Sequence, residues 1–530
     1  MMGSNSLTLQ KDYWHNFKFT DQDLEFLYNH LLEIELPQTA EELTKALISK
    51  RIEVEIQNLV NQKPSEGIRY QPGETYKEND VLQFPALNWK KGTVTSIRKS
   101  NNPGMPEFDV LSLDFGNSET KMFAAGLKDH VLNQPLKVDE NDPMLQADAV
   151  YERYGEEIEA ILTSNFEKVE DLVRIAGRWF PRALLVDINV GHLNLVEAVL
   201  DMNGGGPLPT RFLMEQIELP TDVNSKLTEF SLNLALEEDE RFDEVGPSGE
   251  TLWFLHRLEP AEVREAPVTL RYAGIDNTLD NTDPDLLDQL MKNVIDELEP
   301  DSGKVDRPDQ VTISLIYPHW RAGTLPMTRA IRKLFPSAYE APRVQFKFID
   351  AETNQDISGW VVRTNKYVYG LRNWYESLEL IPGNYITISK GNKPGEVLIS
   401  AGKRKPSREW IRTALIGADG GIVFAMLKQL VSGTYDERMV VAIPDVEALD
   451  TIWNSGNYSR QSLETTLKKV MKEQAKLNPQ GHVHVQELYS AVNIIRRCPP
   501  GLILSILQNR PWSNHMGDLY FRMADTEEES

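Results

Sequence analysis

The sequence predicts a multidomain α+β protein: helical modules that end in β-hairpins, one small β-barrel and one larger, mostly-β domain. Three observations carry this. At 530 residues, the chain holds about three to five folded units of roughly 100–200 residues each. Helical periodicity gives way twice to short alternating runs, near residues 70–124 and 310–412, and a period of 3.6 against 2 separates helix from strand. A pattern of three helices and a hairpin occurs at residues 191–260 and again at 461–523, each hairpin ending on an aromatic pair. With 41% hydrophobic and 26% charged residues, the composition is that of globular domains.

Charge and cysteine content exclude several classes. Lys and Arg total 56 against 80 Asp and Glu, a formal net charge of −24, so phosphate binding requires a locally basic module. One exists: eighteen Lys and Arg face twelve Asp and Glu between residues 301 and 420, which makes that stretch +6 and the remainder −30. The single cysteine, Cys498, excludes an internal disulfide and any multi-cysteine metal site. No apolar run reaches the about 18 residues of a membrane helix. Residues 1–14 are polar and charged where a signal peptide needs an apolar stretch. These features predict a cytoplasmic protein without a membrane partner.

Residues 1–64 read as a helical, helix-turn-helix-like domain. Thr20 and Asp23 have capping-box spacing, with Leu24, Leu27, Tyr28 and Leu31 on the face that follows. Thr39-Ala40-Glu41-Glu42 opens a second helix through Leu43, Ala46 and Leu47; the pair fits an interaction hairpin equally well. Residues 65–135 predict the small β-barrel. Its β-type runs are 81–84, 92–98, 108–115 and 120–124, separated by Pro85, Lys90-Lys91-Gly92 and Asn101-Asn102-Pro103-Gly104. Residues 136–190 form an acidic helical segment with Ile158, Ile161 and Leu162 as apolar positions.

Within residues 191–260, a helix through Leu195, Val196 and Val199 ends at Asn203-Gly204-Gly205-Gly206. A second runs from Thr210 through Leu213 and Ile217, a third spans 222–236, and a hairpin turns at Pro247-Ser248-Gly249. Residues 261–300 are a helical linker in which Asp283-Pro284 supplies an N-cap and first helical residue. Residues 301–412 alternate as strands: Val344, Phe346 and Phe348 point one way, Gln345 and Lys347 the other. One helix is expected from Pro326 through Arg329, Arg332 and Lys333 to Phe335-Pro336. This domain reads as a closed or nearly closed barrel. Residues 413–460 connect it in α/β fashion to the second three-helix module at 461–523, and 524–530 form an acidic tail.

Three local resemblances follow from these residues. Asp80-Val81-Leu82 followed by Lys91-Gly92-Thr93-Val94 resembles Tudor-type and CarD-type small barrels, which implies a protein-binding module at about 70–135. The endings Trp253-Phe254 and Tyr520-Phe521, each after a glycine turn, are similar to the wing of HARE-HTH-type winged helices, which are linked to transcription. Gly323-Thr324-Leu325-Pro326, a helix, Leu334-Phe335-Pro336 and a strand ending at Asp350 resemble the DNA-binding pseudobarrel of plant transcription factors, although the opening is shorter here. The fold class then reads as multidomain α+β with winged-helix modules, a small β-barrel and a larger mostly-β pseudobarrel.

In the pseudobarrel family two arms grip the major groove. By position they fall at His319-Trp320-Arg321 and at residues 363–374, so the resemblance implies nucleic-acid contact by Trp320, Arg321, Arg363, Asn365, Lys366, Tyr367, Arg372, Asn373 and Trp374. The second arm carries the chemistry by itself. Lys and Arg neutralise phosphates, Arg and Asn reach base edges, and aromatics stack on unpaired bases. A plainer reading of the same residues has Trp360, Tyr367 and Trp374 filling the barrel while the charges are solvated. The third helix near Lys226 also carries Asp222, Glu229, Glu237, Glu238 and Asp239, a poor face for phosphate, so that module is expected to bind protein. Its counterpart at 499–508 has no internal charge but is flanked by Arg496, Arg497, Arg510 and Arg522, which leaves its role open.

No P-loop, Gly-x-Ser-x-Gly elbow or His-Glu-x-x-His occurs. Ala418-Asp419-Gly420-Gly421 lacks dinucleotide spacing, and His482 and His484 lack a third ligand. The run Asp276, Asp280, Asp283, Asp285 lacks the calcium-loop spacing. Cys498, before Pro499-Pro500, has no adjacent base. The expectation is a non-enzymatic protein without cofactor, metal or small-molecule substrate. Its expected function is a multi-module, nucleic-acid-associated role linked to transcription or DNA, the basic barrel contacting nucleic acid while the winged helices and small barrel bind protein. From a different class comes a protein-only scaffold, or an acidic nucleic-acid mimic that binds a basic partner; an enzyme with a dispersed site is a third class. Charge gathered on one face of residues 301–412 favours the first, and a mixed surface the second.

Overall fold

The computed structural model describes residues 6–7, 12–61, 67–84, 87, 90–101, 107–116, 120–133, 137–138, 142–219, 224–272, 274, 282–300, 309–391, 393, 395–417 and 420–524. Pro85, Asn102-Pro103-Gly104, Asp222, Asp276, Asp280, Ala418-Asp419 and the acidic tail from 525 lie outside them. Two compact units cover residues 1–185 and 186–530.

The first unit opens with β1 (Ser6–Leu7), α1 (Asp21–Ile34), β2 (Gln38–Thr39) and α2 (Ala40–Asn61). The Asp23 carboxylate accepts from the Thr20 N–H and hydroxyl, both at 2.7 Å, and Arg51 of α2 donates to both its oxygens at 2.6 Å. Thr39 and Glu42 cap α2 reciprocally at 2.8 and 3.1 Å. Then β3 (Ile68–Arg69), β4 (Val81–Phe84), β5 (Lys90–Lys99), β6 (Asp109–Asp114) and β7 (Thr120–Ala125) form one sheet in sequential order. The Tyr70 hydroxyl donates to the Ala124 carbonyl at 2.6 Å and the Leu127 N–H to Pro72 at 2.7 Å. These bonds draw the two edges together around Leu82, Phe84, Val94 and Leu111. Finally β8 (Lys137–Val138) pairs with β1, and α3 (Ala147–Phe166), β9 (Leu172–Ile175) and β10 (Arg178–Pro181) follow.

Residues 1–64 and 136–190, read from sequence as separate pieces, share one sheet and one core. β2 pairs with β10, giving the order β2-β10-β9, and Trp14, Ile48 and Ile52 pack with Val150 and Ile158. The five-stranded sheet is therefore inserted between α2 and α3 of a single module of three helices and three strands.

The second unit begins with the same module, uninterrupted: α4 (Val190–Met202), β11 (Leu208–Pro209), α5 (Thr210–Gln216), α6 (Ser225–Glu237), β12 (Phe242–Glu244) and β13 (Leu252–Leu255), ordered β11-β13-β12. Next come α7 (Ala261–Arg264) and α8 (Pro284–Met291), whose N-cap Asp283 accepts from Asp285 N–H at 2.9 Å. The middle of the unit contains β14 (Gln310–Ser314), α9 (Tyr317–Ala322), β15 (Thr324–Pro326), α10 (Arg329–Arg332), β16 (Arg343–Asp350), β17 (Asp356–Val362), β18 (Tyr367–Tyr369), α11 (Arg372–Ser377), β19 (Tyr385–Lys390) and β20 (Glu396–Ala401). Its seven strands make a curled half-barrel in the order β14-β19-β20-β16-β17-β18-β15. Strands β14 and β15 are its two ends, so where alternation predicts a closed or nearly closed barrel, the sheet curls only half-way. Pro326, expected to start a helix, ends β15 instead. An edge strand tolerates its missing N–H, and α10 is only four residues long.

A long ribbon, β21 (Lys403–Ile416) with β22 (Ile422–Gly433), leads to α12 (Val446–Ser455) and α13 (Asn457–Arg460). The module then appears a third time as α14 (Leu463–Ala475), β23 (His482–His484), α15 (Val485–Val492), α16 (Pro500–Asn509), β24 (Ser513–Gly517) and β25 (Tyr520–Met523), ordered β23-β25-β24. In all three copies the first strand, at one edge of the sheet, runs into the N-cap of the second helix, at Thr39, Pro209 and His484, with a fully buried leucine four residues on: Leu43, Leu213 and Leu488. One residue before each cap, the last strand places a buried aromatic opposite: Trp179, Trp253 and Phe521. Trp253 thus corresponds to Phe521, one position off the pairing that the aromatic doublets suggest.

A buried charge cluster ties the second unit together. Arg497, between α15 and α16, donates to Asp296 at 2.5 and 2.8 Å and to Glu297 at 2.8 Å, and its side chain and that of Asp296 are 0% exposed. The Tyr489 hydroxyl donates to Asp296 at 2.5 Å, and His319 of α9 stands 3.0 Å from Glu297 and 2.8 Å from Thr324. Burial pushes the Glu297 carboxyl up, but the Arg497 guanidinium and His319 outweigh it and hold it well below the ordinary range. Replacing Arg497 by Met should cost about 3–5 kcal/mol by leaving two buried carboxylates uncompensated; a loss below about 1 kcal/mol in denaturant titration would rule this role out.

A second prediction concerns Glu244 and Glu259, whose carboxyls burial pushes from 4.5 up to about 8. The folded state keeps protons that the unfolded state releases, so stability should fall as pH rises from about 4.5 to about 8. Glu244→Gln should flatten part of that slope; an unchanged slope in urea titrations across this window would contradict it.

Candidate nucleic-acid interface

The nine residues expected to touch nucleic acid do not form one surface. Trp320 and Arg321 lie in α9, facing inward neighbours: the Trp320 indole donates to the Leu380 carbonyl at 2.7 Å, and Arg321 grips Asp450 at 2.5 and 2.8 Å. Trp374 is only 6% exposed, packed in the half-barrel core with its indole donating to Asp350 at 3.0 Å. Tyr367 is buried and its hydroxyl donates to the Glu262 carbonyl at 2.6 Å. The stacking role expected for Tyr367 and Trp374 is therefore corrected: along β18 and α11, inward positions take the aromatics because the apolar core competes for them more strongly than solvent.

The polar members of the arm do face water, but at different places. Arg363, Asn365 and Lys366 are exposed on the β17–β18 turn; Arg363 donates to the Ala341 carbonyl at 2.7 Å. Lys366 adopts φ 54°, the left-handed conformation that tight turns demand. Half-buried Arg372, 3.7 Å from Glu376, and exposed Asn373 begin α11, past the other end of β18.

Sequence reading passed over the ribbon. β21 follows directly from β20, which runs parallel to β16 and ends beside Asp350, whereas the 363–366 turn lies at the Arg343 end of β16. Ribbon and turn thus leave the sheet at opposite ends. Both faces of the ribbon are covered in part: Ile411 and Val431 are buried on one, Ala414 and Phe424 on the other. The face of Ala414 and Phe424 also carries Trp410, which is 61% exposed opposite Lys428, whose Nζ sits 5.6 Å from the indole, within cation–π reach. Lys405 and Arg408 are exposed nearby, and among the described residues no carboxylate pairs with Lys405, Arg408 or Lys428. Met426, Leu427 and Leu430 are exposed on the same ribbon. Five basic residues between 403 and 412 around one Trp were the legible signal. Arg412 is the exception: it is buried against Glu487 at 3.1 Å, and burial lowers its affinity for a proton.

Third helices offer no groove reader. Residues 500–507 of α16 are buried in the core of the second unit, and residues 230–234 of α6 are likewise buried. The histidine pair is structural as well. His484 Nδ1 accepts from the Gln486 N–H at 3.2 Å, and burial, aided by Arg438, pushes its imidazole down to about 4. Among the described residues no three His, Cys, Asp or Glu are grouped to hold a metal. Cys498 is buried, which pushes its thiol well above the ordinary range and makes it a poor nucleophile.

Trp374→Ala should therefore cost about 3–5 kcal/mol of stability. If the variant instead melts like the parent, Trp374 is not a core residue. No family model, no curated protein and no solved structure matches this chain.

Proposed function

We propose that the chain is a non-enzymatic, multi-module adaptor in a transcription- or DNA-linked assembly. In this reading the three helix–hairpin modules are winged helices, and with the five-stranded barrel they bind protein. The basic half-barrel domain contacts nucleic acid through the outer face of its ribbon. The observation that carries this is a set of cations with no carboxylate partner among the described residues, Lys405, Arg408 and Lys428, on the ribbon of exposed Trp410 in a chain of net charge −24. Cations without a carboxylate partner break no ion pair on meeting phosphate, and counterion release favours the contact. Two-stranded ribbons also match the width of a major groove. The winged helices do not read bases in this proposal, because their third helices are buried or acidic.

A protein-only scaffold is the second reading. Exposed Met426 and Leu430, on the ribbon face of Trp410, favour it, since Met and aromatic side chains are enriched at protein interfaces.

Nucleic-acid binding by the full chain across a salt series separates the two. Replacing Lys405, Arg408 and Lys428 by Ala should lower the salt slope by roughly 2–3, while an Arg363/Lys366 double replacement should lower it by less than about 1. Trp410→Ala should weaken single-strand binding by about 1–3 kcal/mol without changing the slope. If the parent binds neither single- nor double-stranded DNA nor RNA at about 50 mM salt, the scaffold reading replaces this one.

A further inference from the structure

Between residues 268–272, the α12–α13 helices and the loop joining α15 to α16 lies a cavity of about 220 Å³. Tyr272, Trp453 and Tyr458 wall it, together with Arg271, Arg496 and Arg497. Arg271 is half exposed and pairs with Glu265 at 2.7 Å. Arg496 differs. It is only 9% exposed, and its Nη1 donates to the Tyr458 and Gln461 carbonyls at 3.2 and 2.5 Å. No carboxylate among the described residues pairs with it, since Asp296 and Glu297 are engaged by the neighbouring Arg497.

A guanidinium withdrawn from water with only neutral acceptors is costly. An anion entering the cavity would offset that cost through charge-assisted hydrogen bonds, and the indole and phenol walls present flat apolar faces to the rest of the ligand. Volume limits the size. A cavity of about 150 Å³ accepts a benzene ring, while drug-sized pockets start near 300 Å³. We propose that this cavity is a binding site for a monocyclic aromatic carboxylate, its acid group on Arg496 and its ring against Tyr272, Trp453 and Tyr458. The site is independent of the nucleic-acid reading, and occupancy would staple together the three segments that line it.

Isothermal titration of the full chain with benzoate, benzyl alcohol and inorganic phosphate tests this. Benzoate should bind saturably at one site, with the other two at least about tenfold weaker. Arg496→Gln should weaken benzoate about ten- to hundredfold. Because Arg496 also holds two carbonyls, a second variant guards against misfolding: Ser459, exposed at the cavity lining, replaced by Trp should fill the space and abolish benzoate binding while leaving the melting temperature of the free protein unchanged. The proposal is overturned if benzoate shows no saturable binding up to about 10 mM, if benzyl alcohol or phosphate binds as tightly, or if Ser459→Trp binds benzoate like the parent.

Discussion

The guanidinium of Arg497 is the point on which the second unit turns. It comes from the third module, yet the carboxylates it satisfies, Asp296 and Glu297, come from the segment before the half-barrel, and Glu297 in turn meets His319 of α9. Three stretches remote in sequence are therefore fixed by one dry electrostatic knot. Such a knot is unforgiving, because a buried charge tolerates its partners in few geometries. An apolar contact of the same area would hold these segments with more freedom to slide. The Asn493 side chain closes the arrangement by accepting from Arg497 at 3.0 Å and from the Cys498 N–H at 3.1 Å. The adjacent residue, Arg496, has different partners, the Tyr458 and Gln461 carbonyls. Both consecutive arginines line the cavity, but Arg497 is neutralised by Asp296 and Glu297 while Arg496 meets only carbonyls.

The repeated module shows how little sequence is needed to specify a small fold. A strand that runs straight into a helix cap, a leucine one turn inside, and an aromatic across the sheet recur three times. The caps themselves differ chemically: Thr39 with Glu42 forms a side-chain box, His484 uses its imidazole, and Pro209 contributes no side-chain bond. What is kept is the geometry that places Leu and aromatic together in the core, and burial of such side chains is the main stabilising term in domains this small.

Much of this was legible in the chain. The capping boxes at Thr20 and Thr39, the N-cap at Asp283, the alternation of Phe346 and Phe348 and both hairpin-ended modules follow from local rules that the structure obeys. Two things were not. The first module is broken by an inserted sheet, so its halves read as unrelated segments and Trp179-Phe180 went unnoticed as a third aromatic doublet. The arm at 363–374 interleaves basic and aromatic residues, a pattern that an exposed binding strand and an ordinary strand with one buried face share. Only burial separates them, and burial of Tyr367 and Trp374 depends on partners as distant as Glu262 and Asp350. The open half-barrel was also beyond local reading, because closure depends on which edge strands meet.

The insertion in the first module has a kinetic side. Arg178 reaches back to the Pro37 carbonyl across 141 positions, and β2 cannot find β10 until nearly the whole first unit has been synthesised. Closing so long a loop costs entropy that grows only slowly, about 0.6 kcal/mol for each doubling, but it delays the reward from the contacts made at the end. The intervening sheet pairs neighbour with neighbour and needs no distant strand, so it can form while the flanking helices still wait. The connectivity thus separates two kinds of pairing: local ones inside the guest sheet, and one in the host that needs both ends of the first unit.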